Sequence, residues 1–544
     1  MDTPINNQKP CVVSTPQGFS VSYNNRLLYS KYNPSKLILQ NIENTEIMEG
    51  TIILCMSPCL CYGLKELINK IPNNTFIYLC DFDQDLRNIA LSSDIYKSLS
   101  EKEQKVIAFP TLEELYNLPI TIFEKVKTGD FRRIKRIDFS SGTQFSSPLY
   151  TQLENACIQS IKTFWTNRLT LTKFGRKYSL NLFKNLANIK NTTPLTNYFS
   201  KVTKPILVFG AGQSTDYIIN TYRNILDNFY ILCVDTALTP LIKHGIIPQG
   251  VFVEEAQNII SKAFICKRYN VQLFCGLSSL PQLSIYFKKE NISFFFTKFT
   301  DGIFIDSLIN SKLLPPVNPP FGSVGLTSVY YALKFRKDST VPVCVTGLDF
   351  SYSTGFTHCR GSMAHLGRLL DHNRLICIDN LNAAFCASAI KVYDKDKNIF
   401  ITTPSLSNYC NLFNNIFSKE KNLFDASNSG LPLNIPRIKL STVDTSIKEA
   451  TVIPHLIFND DYLEKLEDYL KNEKEDLEYI RDILTGKIEF SKEQTEQIIT
   501  QHVLNKEYLY LHYPDGYKFT YNQSFLNRIR TEIDYFLKAF EVKK

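Results

Sequence analysis

Ile206-Leu-Val-Phe-Gly-Ala-Gly-Gln-Ser214 is the stretch on which the fold turns. Four apolar residues follow a proline and run straight into Gly210-Ala-Gly212. An apolar-periodic segment, Tyr217 to Leu226, opens after Gln213-Ser-Thr-Asp216. The spacing predicts a short buried strand, a glycine turn, and a helix with hydroxyl and acidic residues in its first turn. Glycine lets the backbone turn sharply and lets another group approach where a Cβ would stand. The helix N-terminus would offer unpaired amides and the positive end of the peptide dipole, a setting that suits a phosphate.

The neighbouring runs extend the pattern. Phe229-Tyr-Ile-Leu-Cys-Val234 reads as a second buried strand ending on Asp235-Thr236, and Gly250-Val-Phe-Val253 as a third ending on Glu254-Glu255. A carboxylate at the second strand's tip, about twenty residues past the glycine turn, is where nucleotide folds hold a ribose hydroxyl. Asp235 either does this or caps the helix that follows it. Further along, Gly322-Ser323-Val-Gly-Leu-Thr327 is a turn-rich entry into a helix, Val329 to Phe335. The strand Val341 to Val345 then ends at Thr346-Gly347-Leu-Asp349. In an open parallel sheet this C-terminal edge is the ligand edge. The expected class is α/β, with a Rossmann-like central domain.

The chain has 544 residues, room for roughly two to four domains. Its 44% hydrophobic and 12% aromatic content supports sizeable cores. The net charge of +8 comes from 61 basic and 53 acidic residues interleaved along the chain. With no arginine-rich tract or basic–aromatic repeat, a nucleic-acid partner is not expected. The 14 cysteines lie singly inside apolar runs, as at Cys55, Cys80, Cys233, Cys275 and Cys344, where cysteine acts as a small buried hydrophobe. Cys59-Leu-Cys61 lies in a loop, but no CxxC pair has metal spacing. The first residues lack a basic stretch followed by an apolar core, so no signal peptide is expected. No run approaches the ~20 apolar residues of a membrane span. A cytoplasmic, reduced protein is the expectation.

Around the centre, residues 1–195 read as a small β-rich entry followed by a smaller α/β unit. There Thr51 to Cys55, a helix from Gly63 to Ile71, and Thr75 to Cys80 form a βαβ ending on Asp81-Phe-Asp83. It lacks the Gly-x-Gly turn, so a degenerate accessory domain with a capping cluster at Asp81 and Asp83 is favoured. Residues 196–435 form the central domain. Residues 436–544 form a helical C-terminal domain, with apolar residues at helical spacing from Asn459 to Leu484 and again from Phe525 to Phe540.

Several pieces together resemble the flagellin-modifying glycosyltransferases of the motility accessory factor (Maf) family. They are Gly210-Ala-Gly-Gln-Ser214, Val234-Asp-Thr-Ala-Leu238, Gly245-Ile-Ile-Pro248, Gly322-Ser-Val324, Gly347-Leu-Asp349, Thr357-His-Cys-Arg-Gly361 and Asp425-Ala-Ser-Asn-Ser-Gly430. Arg168-Leu-Thr and Phe174-Gly-Arg176 echo the family more weakly. That family is similar in its central domain to bacterial CMP-sialic acid transferases, and an archaeal pterin diphosphokinase, MptE, shares the central fold. The resemblance implies transfer of a nonulosonic acid, of the pseudaminic or legionaminic type, from a CMP donor to Ser or Thr of flagellin. Departures fall at Gln213, where proline is frequent, and at Glu254-Glu255, where an aspartate is more usual. A diphosphokinase-like enzyme and a non-catalytic flagellin-binding motility factor are the alternatives.

Such a transfer needs a base for the acceptor proton and stabilisation of the departing phosphate. For the phosphate the candidates are Gly210, Gly212 and Ser214, with Ser323 and Thr327. Gln213, Asp235, Thr236 and Gly347 complete the expected nucleotide-sugar contacts, and Asp349 is placed for a donor contact. Of 7 histidines, His358, His365 and His372 follow the last of these strands at seven-residue spacing. A neutral imidazole can accept the acceptor's proton, and His358 beside Arg360 is the best single candidate. Arg360 and Arg374 could neutralise the sugar carboxylate. Asp394-Lys-Asp396 has a metal-binding look, but Tyr-Asp-Lys-Asp-Lys-Asn reads better as a polar hairpin turn. No cofactor beyond the CMP-sugar substrate is assigned, and dependence on a divalent metal, which these residues do not support, stays open.

Overall fold

The computed structural model describes residues 9–123, 131–264, 269–446, 453, 457–514 and 519–540. The chain divides into two compact units, Met1–Thr172 and Lys173–Lys544.

In the first unit, Cys11–Thr15, Gly18–Tyr23 and Arg26–Leu27 form an antiparallel sheet. The expected βαβ is present. Thr51–Met56 and Phe76–Cys80 pair in parallel, with Ile107–Ala108 and Arg133–Asp138 at the edges. Both inner strands are wholly buried, as continuous apolar runs in a parallel sheet should be. Asp83 accepts hydrogen bonds from the amides of Asp85 and Leu86 and so caps the helix Gln84–Ser92, the capping role read for it.

The second unit is built on an eight-stranded parallel sheet. Its strands in chain order are β1 (Ile206–Phe209), β2 (Tyr230–Val234), β3 (Gly250–Val253), β4 (Gln272–Gly276), β5 (Ile292–Thr297), β6 (Val317–Asn318), β7 (Val343–Thr346) and β8 (Leu423–Asp425). The spatial order is β6-β5-β4-β3-β2-β1-β7-β8. The chain therefore leaves β1 in one direction through β6 and returns on the other side with β7. The order reverses between β1 and β7, the kind of switch point beyond whose carboxyl edge open parallel sheets bind ligands. The glycine turn after β1 and Gly347–Asp349 after β7 both lie at this switch point.

Three helices follow strands of interest, namely α1 (Ser214–Tyr222) after β1, α2 (Asp235–Lys243) after β2 and α3 (Val324–Phe335) before β7. α3 starts earlier than the Val329 expected from sequence, with Ser323 at its N-cap. Its buried face packs aromatic rings on the sheet. Phe252 stacks on Phe274 at 4.7 Å between centroids, and Tyr331 and Phe335 lie within 6.2 Å of Phe252. Each such ring contributes roughly 1.5–3 kcal/mol by burial, so this layer fastens α3 to the sheet. Asp460–Leu484 and Gln523–Phe540 are helices, as their apolar spacing predicts. Lys492–Val503 is a third, which the spacing did not signal because only Ile499 and Val503 on it are buried. Among the described residues, no helix is long and apolar enough to cross a membrane.

Candidate functional site

At the switch point the glycine turn is tied to the end of β7. Gly210 N donates to Thr346 O at 2.7 Å, and Gly212 N to Gly347 O at 2.8 Å. Ser214 N, at the start of α1, donates to Asp349 Oδ2 at 2.9 Å. Three amides that the sequence assigns to a phosphate thus have partners within the chain, and a carboxylate already stands at the helix N-terminus, where the dipole favours it. The Ser214 hydroxyl meets that of Ser429 at 3.1 Å and accepts from Ser429 N. Gln213 bridges the loop beyond β7, its Nε2 donating to Ser353 Oγ at 2.7 Å and its Oε1 accepting from Ser353 N at 3.0 Å. A proline at position 213 would lack this amide.

Asp349 is 2% exposed, and its Oδ1 has no hydrogen-bond partner among the described residues. Asp235, at the tip of β2, is buried too, and its Oδ1 accepts from the amide and hydroxyl of Thr236. Of the two roles read for Asp235, the observed bonds are those of a local turn opening α2. Half-buried Glu254, at the tip of β3, accepts from the hydroxyls of Thr297 and Thr327, the latter at 2.7 Å. Thr327 therefore points at Glu254. Ser323 heads the same helix without a side-chain capping bond.

Burial pushes Asp235 and Asp349 up to about 6, against hydrogen bonds that favour their charged forms. Carboxyls in the unfolded chain titrate near ~3.9. Because the folded values are raised, their contribution to stability is fully present below about pH 4 and is lost as pH rises through about 6. Asp349→Asn, which cannot ionise, is therefore expected to flatten the fall in melting temperature between about pH 4 and 6. A profile parallel to that of the parent chain would rule out Asp349 as a contributor.

The loop carrying the histidines is fastened to the same turn. Cys359 N donates to Ala211 O at 2.8 Å, and Arg360 N donates to both carboxylate oxygens of Asp216 at 3.0 and 3.1 Å. His358 Nδ1 lies 3.0 Å from Thr357 Oγ1, and burial pushes the imidazole below its usual value. His358 and His365 line one small cavity with Phe356 and Arg368. His365 lies in the helix Met363–Asp371 and accepts from Gly361 N at 3.1 Å. His372 stands apart, exposed at that helix's C-cap with Nδ1 on Ile376 O. The Arg360 guanidinium lies 5.7 Å from the Phe356 ring, and Arg374 is exposed. The fold thus gathers His358, Arg360, Asp349 and the glycine turn around the β1–β7 switch point and leaves His372 and Arg374 outside.

Sequence reasoning missed a buried ion pair here. Asp394–Asn398 is the hairpin turn it was read as, between the paired strands Ile390–Tyr393 and Ile399–Thr402. Yet Lys395 in that turn reaches inward to Asp425 at the tip of β8, the two side chains being 3% and 1% exposed. Lys395 also favours the charged form of Asp349, whereas Asp425 opposes it. Asp216 likewise reads from the sequence only as part of the helix start. In both cases the partner lies far along the chain, and no local pattern marks it.

A family model described as 6-hydroxymethylpterin diphosphokinase MptE-like matches residues 180–355, which hold β1 to β7. An uncharacterized protein of Treponema pallidum (strain Nichols) is 28% identical over 557 aligned positions, covering 97% of this chain and 94% of the relative. Among solved structures, the Maf glycosyltransferase from Magnetospirillum magneticum AMB-1 superposes with a TM-score of 0.55, covering 98% of this chain and 92% of that one at 12% identity. The chain has the Maf glycosyltransferase fold. This agrees with the resemblance read from the motifs between Gly210 and Gly430, and the Maf likeness reaches well beyond the central sheet into both flanks.

Proposed function

We propose that this chain is a glycosyltransferase that moves a nonulosonic acid from a CMP donor to Ser or Thr of flagellin. The observation that carries the reading is the likeness to a Maf glycosyltransferase over 98% of the chain. The convergence of the glycine turn, Asp349 and His358 at one switch point supports it. The donor occupies the crevice beyond β1 and β7, with Gly210, Gly212, Gln213 and Ser214 along one wall and Asp235, Thr236, Ser323 and Thr327 along the other. Because the amides of Gly210, Gly212 and Ser214 are engaged, the turn acts mainly by shape. Asp349, through Ser214 N, holds the turn in place, and its unpaired Oδ1 is an acceptor for the donor. His358 is the base. With Nδ1 turned to Thr357, Nε2 takes the acceptor proton, and burial keeps the ring neutral near pH 7. The acceptor oxygen bonds to the anomeric carbon as the bond to the CMP phosphate breaks, and Arg360 neutralises the sugar carboxylate.

His358→Ala is expected to lower transfer about 100-fold or more while leaving the melting temperature nearly unchanged. Mass-spectrometric detection of modified flagellin after incubation with the CMP-sugar measures the first, and thermal denaturation the second. Near-normal transfer would remove His358 as base. The MptE-like match over 180–355 favours a second reading, a diphosphokinase. Titration with ATP and magnesium, in parallel with CMP, separates the two. A chain that binds neither would be a motility factor without catalysis.

A further inference from the structure

Away from the sheet edge, the second unit holds a cleft of about 790 Å³ beside α4 (Gln523–Phe540). Phe525, Leu526, Ile529, Ile533 and Phe536 bury one side of α4. Ser524, Asn527, Arg528 and Thr531 line the cleft from the other. These four recur at the spacing that stacks side chains on one helical face, so the helix presents a row of hydrogen-bonding groups to the cleft.

The opposite wall comes from Arg176 and His512. Gly175 permits this approach, since a Cβ there would stand 2.1 Å from Leu511 Cδ1. Arg176 donates through Nε to Glu532 Oε2 at 2.7 Å and through Nη2 to Oε1, a bidentate pair that fixes the guanidinium plane. It also lies 4.9 Å from the Tyr535 ring, and Arg528 lies 4.3 Å from the Tyr513 ring. His512, 9% exposed, has Nε2 at 3.2 Å from Arg176 Nη2 and 3.3 Å from Glu532 Oε1, while its Nδ1 is buried with no hydrogen-bond partner among the described residues. The cleft therefore has two guanidinium groups held on aromatic rings, an imidazole with an unused nitrogen, two hydroxyls and an amide. Among the described lining residues the one carboxylate, Glu532, is already engaged by Arg176.

We propose that this cleft binds the phosphate group of a small phosphorylated metabolite, at a site separate from the β1–β7 crevice. A phosphate monoester carries three acceptor oxygens, and guanidinium groups suit them better than any other side chain. A guanidinium has five N–H donors, so Arg528 and Arg176 serve a ligand while keeping their present neighbours. The volume lies within the range of small-molecule sites, roughly 300–1,000 Å³. Ser524, Asn527 and Thr531 are exposed on α4, where Thr531 Oγ1 donates to Asn527 O and Asn527 Oδ1 accepts from Gln523 Nε2, so a ligand would exchange these surface bonds for its own. This site does not depend on the glycosyltransferase reading.

Calorimetric titration of the full chain with glucose 6-phosphate, glucose and inorganic phosphate tests it. Glucose 6-phosphate is expected to bind saturably and glucose not at all. Arg528→Gln is expected to weaken the ester about tenfold or more, and Thr531→Val to weaken it to a lesser degree. Both variants lie on the wetted face of α4, and circular dichroism checks that they fold. Asp349→Asn, at the switch point, should leave the affinity unchanged. No heat from the ester, equal affinity in Arg528→Gln, or loss in Asp349→Asn instead would each overturn the assignment. Binding of inorganic phosphate with exclusion of the ester would overturn the metabolite as its ligand.

Discussion

Lys395→Met is expected to lower the stability of the chain by about 3–5 kcal/mol, the usual cost of removing one partner from a buried ion pair. Asp425 would be left buried beside Asp349 without its cation, both side chains being at most 2% exposed. The apolar stem of methionine fills most of the space of the lysine stem, so lost charge, not lost volume, dominates the effect. Denaturant unfolding followed by fluorescence measures it. Lys395→Met combined with Asp425→Leu should recover most of the loss, because the orphaned charge is then gone. A single variant within about 1 kcal/mol of the parent would show that the pair is not held out of water as its burial implies.

The same residue shows what the sequence could and could not reveal. Tyr-Asp-Lys-Asp-Lys-Asn was legible as a hairpin turn because its polar run has the local chemistry of one. The inward reach of Lys395 to a strand tip thirty residues on was not, since burial is a tertiary property. The strands Ile206–Phe209, Tyr230–Val234 and Gly250–Val253 were legible because a parallel sheet buries both faces and leaves continuous apolar runs. The glycine turn was legible as a turn, but its partner was not. Asp349 lies 135 residues from Ser214 in sequence, so an amide read as free for phosphate is in fact capped. The three histidines recur at a seven-residue spacing that would put all of them on one face of a single helix. The break at Gly361 and the helix that starts at Met363 instead put His358 and His365 on one cavity and turn His372 out.

Gly212→Val is expected to lower stability by about 3 kcal/mol, at the upper end of the range for overpacking, and to abolish CMP binding if the switch point is the donor site. A Cβ at 212 would stand 2.4 Å from Asp349 Oδ2 and 2.8 Å from Gly347 O. The backbone carbonyl cannot move without disturbing β7, and Asp349 cannot move without releasing Ser214 N. Both the turn and the first amide of α1 must therefore shift. Destabilisation alone would also weaken any ligand, so a control with a comparable clash elsewhere is needed. Gly250→Val at the start of β3 supplies it, because a Cβ there would stand 2.3 Å from the Phe274 ring, within the core and away from the carboxyl edge. Calorimetry with CMP is run at a temperature where both variants remain folded. Binding kept in Gly250→Val and lost in Gly212→Val would locate the donor at the β1 turn. Binding kept in both would mean that the glycines serve only to let β1 and β7 approach, and the donor site would have to be sought elsewhere on the sheet edge.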